Sequence, residues 1–378
     1  MATVLQTLPI PAGPDAARVL PALAAALDGG RALLPVPAGD PREAARLTAA
    51  LGADAPIAAA VALVVATSGT TGIPKGAMLS AAALRASAAA THERLGGPGG
   101  WLLALPPHHI AGLQVMLRSL QAGFEPVIVD VSSGFDPHTL PAAVAALRGP
   151  RRYTSLVPTQ LLKALDHPPA AAALATLDAV LIGGAATPAA VRDRAERAGI
   201  TVVRTYGMSE TCGGCVYDGR PLRDVRVRID AGRVVLGGPV LADGYRGLPD
   251  HPAFAEPGWF RTDDAGTFDG TLQIRGRLDE GISTGGLTVL PQVVEAALAS
   301  HPGVRECAVL GLPDARLGER VVAVVVGAVT LDDVRAHVAA RLDPTAAPRE
   351  LHLVAALPLR GPGKVDRKVL RDMLTAQQ

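Results

Sequence analysis

From Val61 to Gly207 the sequence repeats one pattern, a short apolar run followed by an Ala-rich stretch with helical spacing. VALVVA precedes LSAAALRASAAATHERL, WLLALP precedes HHIAGLQVMLRSLQAG, and EPVIVD precedes TLPAAVAALRG. YTSLVP then leads into TQLLKAL, AVLIGG into TPAAVRDRAERAG, and TVVRTYG closes the series. Strands alternating with helices predict a layered, doubly wound α/β architecture, because each crossover helix returns the chain to a parallel strand. After about Arg220 the texture changes, and VRVRID, GRVVLGG, TFDG and LQIRGR read as short antiparallel strands with Gly and Asp turns. From Thr288 onward a strand and helix pattern resumes as a compact α+β unit. A chain of 378 residues suits a large domain plus a smaller one. The expected division is 1–278, layered α/β subdomains with a β subdomain, and 279–378, the small α+β domain. The joint falls in Gly276-Arg277-Leu278-Asp279, between a strand and a Gly-rich turn.

Composition removes several classes. Hydrophobic residues at 49% against 19% charged place the chain among globular proteins. A net charge of +1 gives no broad field for nucleic acid or an acidic membrane, so any anion must be met by a local site. The start lacks the basic flank and apolar run of a signal peptide, and the apolar run Ala55 to Ala66 is too short to span a bilayer. A soluble cytoplasmic protein without membrane insertion is the expectation. Three cysteines argue against a disulfide framework. Cys212 and Cys215 form a C-x-x-C, but no second Cys or His pair follows at zinc spacing, and two buried thiols are the simpler reading.

The most informative segment is Thr67-Ser68-Gly69-Thr70-Thr71-Gly72-Ile73-Pro74-Lys75-Gly76, directly after the strand VALVVA. Its glycines let backbone approach a ligand, its hydroxyls donate hydrogen bonds, and Lys75 adds a positive charge. Nucleotide phosphate is the expected guest. The G-x-x-x-x-G-K-[ST] loop is excluded, because Lys75 is followed by Gly76 rather than by a helix-opening Ser or Thr.

This string resembles the signature loop of the adenylate-forming superfamily, which includes acyl-CoA synthetases, luciferases and peptide-synthetase adenylation domains. Further segments resemble that family in order. Pro106-Pro107-His108-His109 is similar to the segment whose aromatic or His lines the acyl pocket, with His109 at that position. Gly183-Gly184-Ala185 resembles the adenine-side loop, and small residues there let a flat base lie on backbone. Tyr206-Gly207-Met208-Ser209-Glu210 resembles Y-G-x-T-E, with Ser209 replacing Thr. The resemblance implies a ring on adenine, a hydroxyl on phosphate, and Glu210 as the magnesium ligand, which suits a hard cation's need for carboxylate and phosphate oxygens.

Trp259-Phe260-Arg261-Thr262-Asp263-Asp264 resembles W-[FY]-[RK]-T-G-D, implying a ribose contact at Asp264, with Asp263 replacing glycine and either raising a neighbouring pKa or facing solvent. Arg277 matches the second ribose contact, and Asp279 the hinge of a mobile C-terminal domain. Gly281 stands where an apolar residue is usual, and its backbone freedom suits a hinge. Pro358 to Arg367 resembles P-x-x-x-x-G-K-x-x-R, implying that Lys364 is the mobile catalytic cation.

The resemblance covers nearly the whole chain and implies ATP, Mg2+ and coenzyme A as cofactors, a carboxylic acid substrate, and catalysis by positioning and electrostatic stabilisation through an acyl-AMP. Short length, an abbreviated start and the segment LALPPHHIAGLQVMLRSL look like the compact o-succinylbenzoate:CoA ligases of menaquinone biosynthesis. His109, Thr159 and Gln160 are the residues expected to contact that acid. Another aryl- or acyl-CoA ligase, or a free-standing adenylation domain loading a carrier protein, stays open, as does assembly as a homodimer.

Overall fold

The computed structural model describes residues 2–67, 74–359 and 365–375. The chain forms two compact units, one of residues 1–227 with 235–261, the other of 228–234 with 262–378. Compactness and the pivot of a motion are different properties, and the joint expected at 276–279 concerns the second.

The first unit contains a seven-stranded sheet in the order Arg220–Pro221, Gly213–Tyr217, Val202–Met208, Ala179–Ile182, Arg152–Leu156, Gly100–Leu103 and Val127–Ile128. The five strands from Val202–Met208 to Val127–Ile128 are parallel, and the remaining two add antiparallel at one edge. The predicted alternation is realised. Helices Ile110–Ala122, Pro158–Leu165 and Ala189–Arg197 follow Gly100–Leu103, Arg152–Leu156 and Ala179–Ile182. Apolar strand residues are buried almost completely, as parallel sheets covered on both faces require. One polar group interrupts this core. Arg118, on Ile110–Ala122, is buried with its guanidinium 5.1 Å from the centre of the Trp101 ring and 3.3 Å from the Tyr217 hydroxyl. Trp101 Nε1 donates to His92 Nε2 at 3.2 Å.

A second sheet in this unit orders Gln6–Ile10, Leu33–Pro37, Val61–Thr67 and Lys75–Ser80. Its last strand is not foreseen by the alternation. KGAMLS pairs antiparallel with VALVVAT, setting Thr67 opposite Lys75 and Ala66 opposite Gly76, before Ser80 caps helix Ala81–Arg94 by accepting from the Ala83 amide. Glycine is required at position 76 because a Cβ would lie 2.6 Å from Val64 Cγ1. The phosphate-loop segment therefore joins two strands of a hairpin.

The meander Arg226–Asp230, Arg233–Gly237, Trp259–Phe268 and Leu272–Arg277 lies where the chain passes from the first unit to the second. The second unit is built on the long hairpin Val304–Asp314 with Gly318–Gly327. Alternate residues face opposite ways along a strand. Val309, Val321, Ala323 and Val325 meet helices Pro291–Leu298 and Leu331–Ala339, while Leu310, Val322 and Val324 meet Leu370 and Leu374 of helix Arg367–Thr375. Gly285 and Gly286, at φ 58° and 82°, form the two-residue turn between Ile282–Thr284 and Leu287–Val289, a conformation that selects glycine. Among the described residues no helix is long and apolar enough to cross a membrane.

Candidate active site

The parallel sheet collects the sequence-derived residues at one edge. His109, Thr159, Gly183 to Ala185, and Tyr206 to Glu210 all stand at or just beyond the carboxyl ends of neighbouring parallel strands. Ligands of open α/β sheets bind at that edge. Gly183 lies against Thr205, whose Oγ1 would collide with a Cβ at 183. Gly184 has φ 83°, and it is exposed together with Ala185.

The segment carrying Glu210 is tightly specified. Strand Val202–Met208 bulges between Tyr206 and Gly207, and a Cβ on Gly207 would run into Gly213 O. Ser209 and Glu210 are buried in the short helical turn Ser209–Thr211. Thr211 Oγ1 accepts from the Met208 amide at 3.0 Å and donates to Gly213 O at 2.7 Å. Cys212 then takes the left-handed conformation, φ 51°, which a non-glycine residue adopts only when its surroundings hold it. Gln114 Nε2 and Ser87 Oγ do so, donating to Cys212 O at 2.6 and 2.9 Å. Burial pushes both nearby thiols up, that of Cys215 to about 12.

Two residues that sequence patterns did not single out complete this region. Tyr245 Oη donates to Glu210 Oε1 at 2.6 Å. Lys75 Nζ lies 5.1 Å from the centre of the same tyrosine ring and 3.1 Å from His251 Nε2. The only local signal for Tyr245 is a lone aromatic after Gly244, whose φ is 131°. Ser68, Gly69, Thr70, Thr71, Gly72 and Lys364 lie outside the described residues.

The candidate acid-binding residues take distinct places. His109 is exposed at the start of Ile110–Ala122, while the half-buried His108, its ring centre 4.3 Å away, has its pKa pushed down to about 4, chiefly by burial. Gln160 is buried, donating to Ala104 O at 2.7 Å and accepting from the Val157 amide at 3.0 Å, so its amide shapes the strand-to-helix turn. Thr159 beside it is exposed.

The second unit holds the other group. Asp264 is buried directly across from Arg277 in the strand pair, with Arg277 Nη1 3.7 Å from Asp264 Oδ1. Arg277 also grips Asp279 through two bonds of 2.8 Å. Burial lowers the guanidinium pKa, but Asp279, Asp264 and Asp263 more than reverse this, and the net direction is upward. Asp263 points to solvent, 3.1 Å from Arg233 and 3.7 Å from Arg277. Between the two outcomes left open for Asp263, the solvent-facing one is observed.

Gly281, two residues after Asp279, has a different cause from the one expected. Gly281 has φ −59° and ψ 130°, which any residue adopts, and a Cβ there would lie 2.8 Å from Thr288 Cγ2, so space rather than backbone freedom explains it. Glu280 is bound by Gln292 and by Arg367 Nε at 3.0 Å; Arg367 also reaches Glu295 at 2.7 Å and Val309 O at 2.6 Å. Arg367, the last residue of the Lys364 motif, thereby ties the start of helix Arg367–Thr375 to the turn after Asp279.

A family model of AMP-binding enzymes matches residues 15–245, and one of the AMP-binding enzyme C-terminal domain matches 293–364. The chain belongs to the AMP-binding enzyme family. Within this family it is 59% identical, over 97% of both chains, to a protein of Mycobacterium tuberculosis named "Probable 2-succinylbenzoate–CoA ligase". A 2-succinylbenzoate–CoA ligase of Enterococcus faecalis is 30% identical over 81% of this chain and 68% of its own. Among solved family structures, E. coli MenE with a bound analogue of OSB-AMS superposes with a TM-score of 0.77 at 26% identity, covering 99% of this chain and 89% of that one. Bacillus subtilis o-succinylbenzoate CoA synthetase, in complex with its acyl-adenylate OSB-AMP, gives 0.72 at 25% identity, covering 94% and 80%. The layered α/β architecture with a smaller C-terminal α+β unit is the fold of these adenylate-forming enzymes.

Proposed function

We propose that this protein is an ATP-dependent 2-succinylbenzoate:CoA ligase, forming an acyl-AMP and then a CoA thioester for menaquinone biosynthesis. The reading rests on the likeness, 59% over 97% of both chains, to the mycobacterial relative named for that reaction. Use of ATP and CoA favours a cytoplasmic enzyme.

Attack of a carboxylate on the α-phosphate brings two anions together, so the protein must supply positive charge and fixed geometry. Lys75, the hydroxyls and amides from Thr67 to Gly72, and Lys364 supply them on this reading. Tyr206 packs on adenine beside Gly183, Gly184 and Ala185, while Ser209 contacts phosphate and Asp264 and Arg277 hold the ribose. Glu210 fits a magnesium ion carried in on the triphosphate. Such an ion keeps most of its ligands as phosphate oxygens and water, needing one or two protein carboxylates, and among the described residues no group of three or more His, Cys, Asp and Glu side chains converges. When bound, magnesium neutralises charge developing on the phosphoryl oxygens. After pyrophosphate leaves, the domain beyond Asp279 swings to admit the thiol, with the Arg277–Asp279 clasp at its pivot.

The test separates the two half-reactions. Lys364→Ala should slow 2-succinylbenzoate-dependent ATP–pyrophosphate exchange by about 10²- to 10³-fold, the usual loss for one well-placed stabiliser. Thioester formation from supplied acyl-AMP should remain close to normal. Equal losses in both steps would refute the role of Lys364, and absence of exchange with 2-succinylbenzoate in the unaltered enzyme would remove the substrate.

A further inference from the structure

We infer that Tyr245 is a positioning residue with two separable tasks: its hydroxyl fixes the Glu210 carboxylate for the magnesium–nucleotide complex, and its ring holds the Lys75 ammonium ready for phosphate. This deepens the proposed function and rests on Glu210 being the metal-binding carboxylate.

The geometry assigns the first task. Glu210 is buried, and a buried carboxylate that must meet a cation needs its orientation fixed beforehand. The bond from Tyr245 Oη, at 2.6 Å, has the length of a charge-assisted hydrogen bond. The backbone helps, since the Ala242 amide donates to Glu210 O at 2.8 Å and brings the segment 242–245 against the turn carrying Glu210. Tyr245 is itself immobilised. Its ring packs edge-on to His251 and Phe254, with centres 4.7 and 5.2 Å away, and Phe254 packs on Phe260 at 5.0 Å.

The second task follows from the surroundings of Lys75. Lys75 Nζ lies 3.1 Å from His251 Nε2, whose ring accepts from the Ala253 amide at Nδ1, at 3.2 Å. The tyrosine face, 5.1 Å from the ammonium, adds a cation–π attraction. A cation held by a ring face rather than by a carboxylate transfers readily to a stronger anion. A nucleotide triphosphate is such an anion.

Tyr245→Phe separates the tasks, because it keeps every ring contact and removes only the hydroxyl. Binding of Mn2+ to the enzyme with ATP, followed by paramagnetic resonance, should weaken about tenfold, the lower end of losses on removing a residue that orients a metal ligand. The KM for CoA should hardly move, a separation that a merely structural role would not give. Tyr245→Leu, which also removes the ring, should weaken ATP binding at saturating metal. Normal Mn2+ binding in Tyr245→Phe, with weakened binding in Glu210→Gln, would overturn the Tyr245 assignment alone. Normal binding in Glu210→Gln would overturn the underlying reading of Glu210.

Discussion

Arg118 in the first unit and Arg367 in the second are both cations removed from most of their water, and their surroundings are of opposite kinds. Arg118 sits beneath Trp101 and beside Tyr217, its pKa lowered by burial, and its Nε makes no hydrogen bond among the described residues. Arg367, its side chain 18% exposed, lies between Glu280 and Glu295 and donates to a backbone carbonyl. Breaking a buried ion pair strands the partner charge, whereas replacing an unpaired buried polar group with an apolar one of similar volume strands nothing. The same residue type is thus a fastener in one unit and a filler in the other.

The contrast predicts its largest difference at these two positions. Arg367→Ala should cost about 3–5 kcal/mol, because Glu295, its side chain only 18% exposed, is left without its cation. Faster hydrogen exchange in the Val304–Asp314 strand would report it. Arg118→Met should stay within about 1–2 kcal/mol of the unaltered protein. Both tryptophans, Trp101 and Trp259, belong to the first unit, so fluorescence follows that unit during denaturation. Equal costs at the two arginines would erase the distinction.

The second expectation is a pair of opposite pH dependences. The His92 pKa is pushed down to about 4 from 6.5, mainly by burial and further by Arg118. A base whose folded-state pKa is depressed binds fewer protons folded than unfolded. The stability it confers is complete above pH 6.5 and is lost as pH falls toward 4, on the order of 2–3 kcal/mol. Glu295 runs the other way. Burial raises its pKa above 4.5, with Arg367 opposing. A raised carboxyl binds more protons folded, so its contribution is complete below pH 4.5 and declines as pH rises through the elevated value. His92→Gln, which keeps an acceptor for the Trp101 N–H, should flatten the acid limb of the fluorescence-detected midpoint. Glu295→Gln should flatten the opposite trend in hydrogen exchange. Parallel slopes in both units would break the comparison.

The smallest effect is expected at Asp263. Its side chain is 55% exposed and its ion pairs are solvated, so Asp263→Gly should change stability by less than about 1 kcal/mol in a denaturant titration. A larger loss would mean that the Asp263 pairs with Arg233 and Arg277 carry more of the geometry around Asp264 than their exposure implies.

What could be read from the chain follows the range of the interactions involved. The parallel strands were legible because each is a short apolar run ended by a turn residue. Strand Lys75–Ser80 was hidden: its first residues belong equally to a loop motif, and only its pairing with Val61–Thr67 defines it. Glu210 and Asp264 stood out through local strings. Tyr245 and His251 lie far along the chain from Lys75, so their meeting is a tertiary fact with no local spacing. Arg367 was visible as part of a motif, but its grip on Glu280 and Glu295 depends on two elements that only folding brings to it. Gly281 shows the converse, since an evident glycine invited a backbone explanation where a neighbouring methyl group supplies the cause.

The depth at which the cysteines are kept bears on the chemistry proposed for the chain. An acyl-adenylate is an electrophile that any thiolate within reach will attack, and Cys212 follows Glu210 by only two positions. Cys212 and Cys215 are fully enclosed, and burial also pushes the Cys307 thiol up, to about 12. Since the thiolate and not the thiol is the nucleophile, the packing of the fold keeps these cysteines from competing with the incoming pantetheine for the activated acyl group.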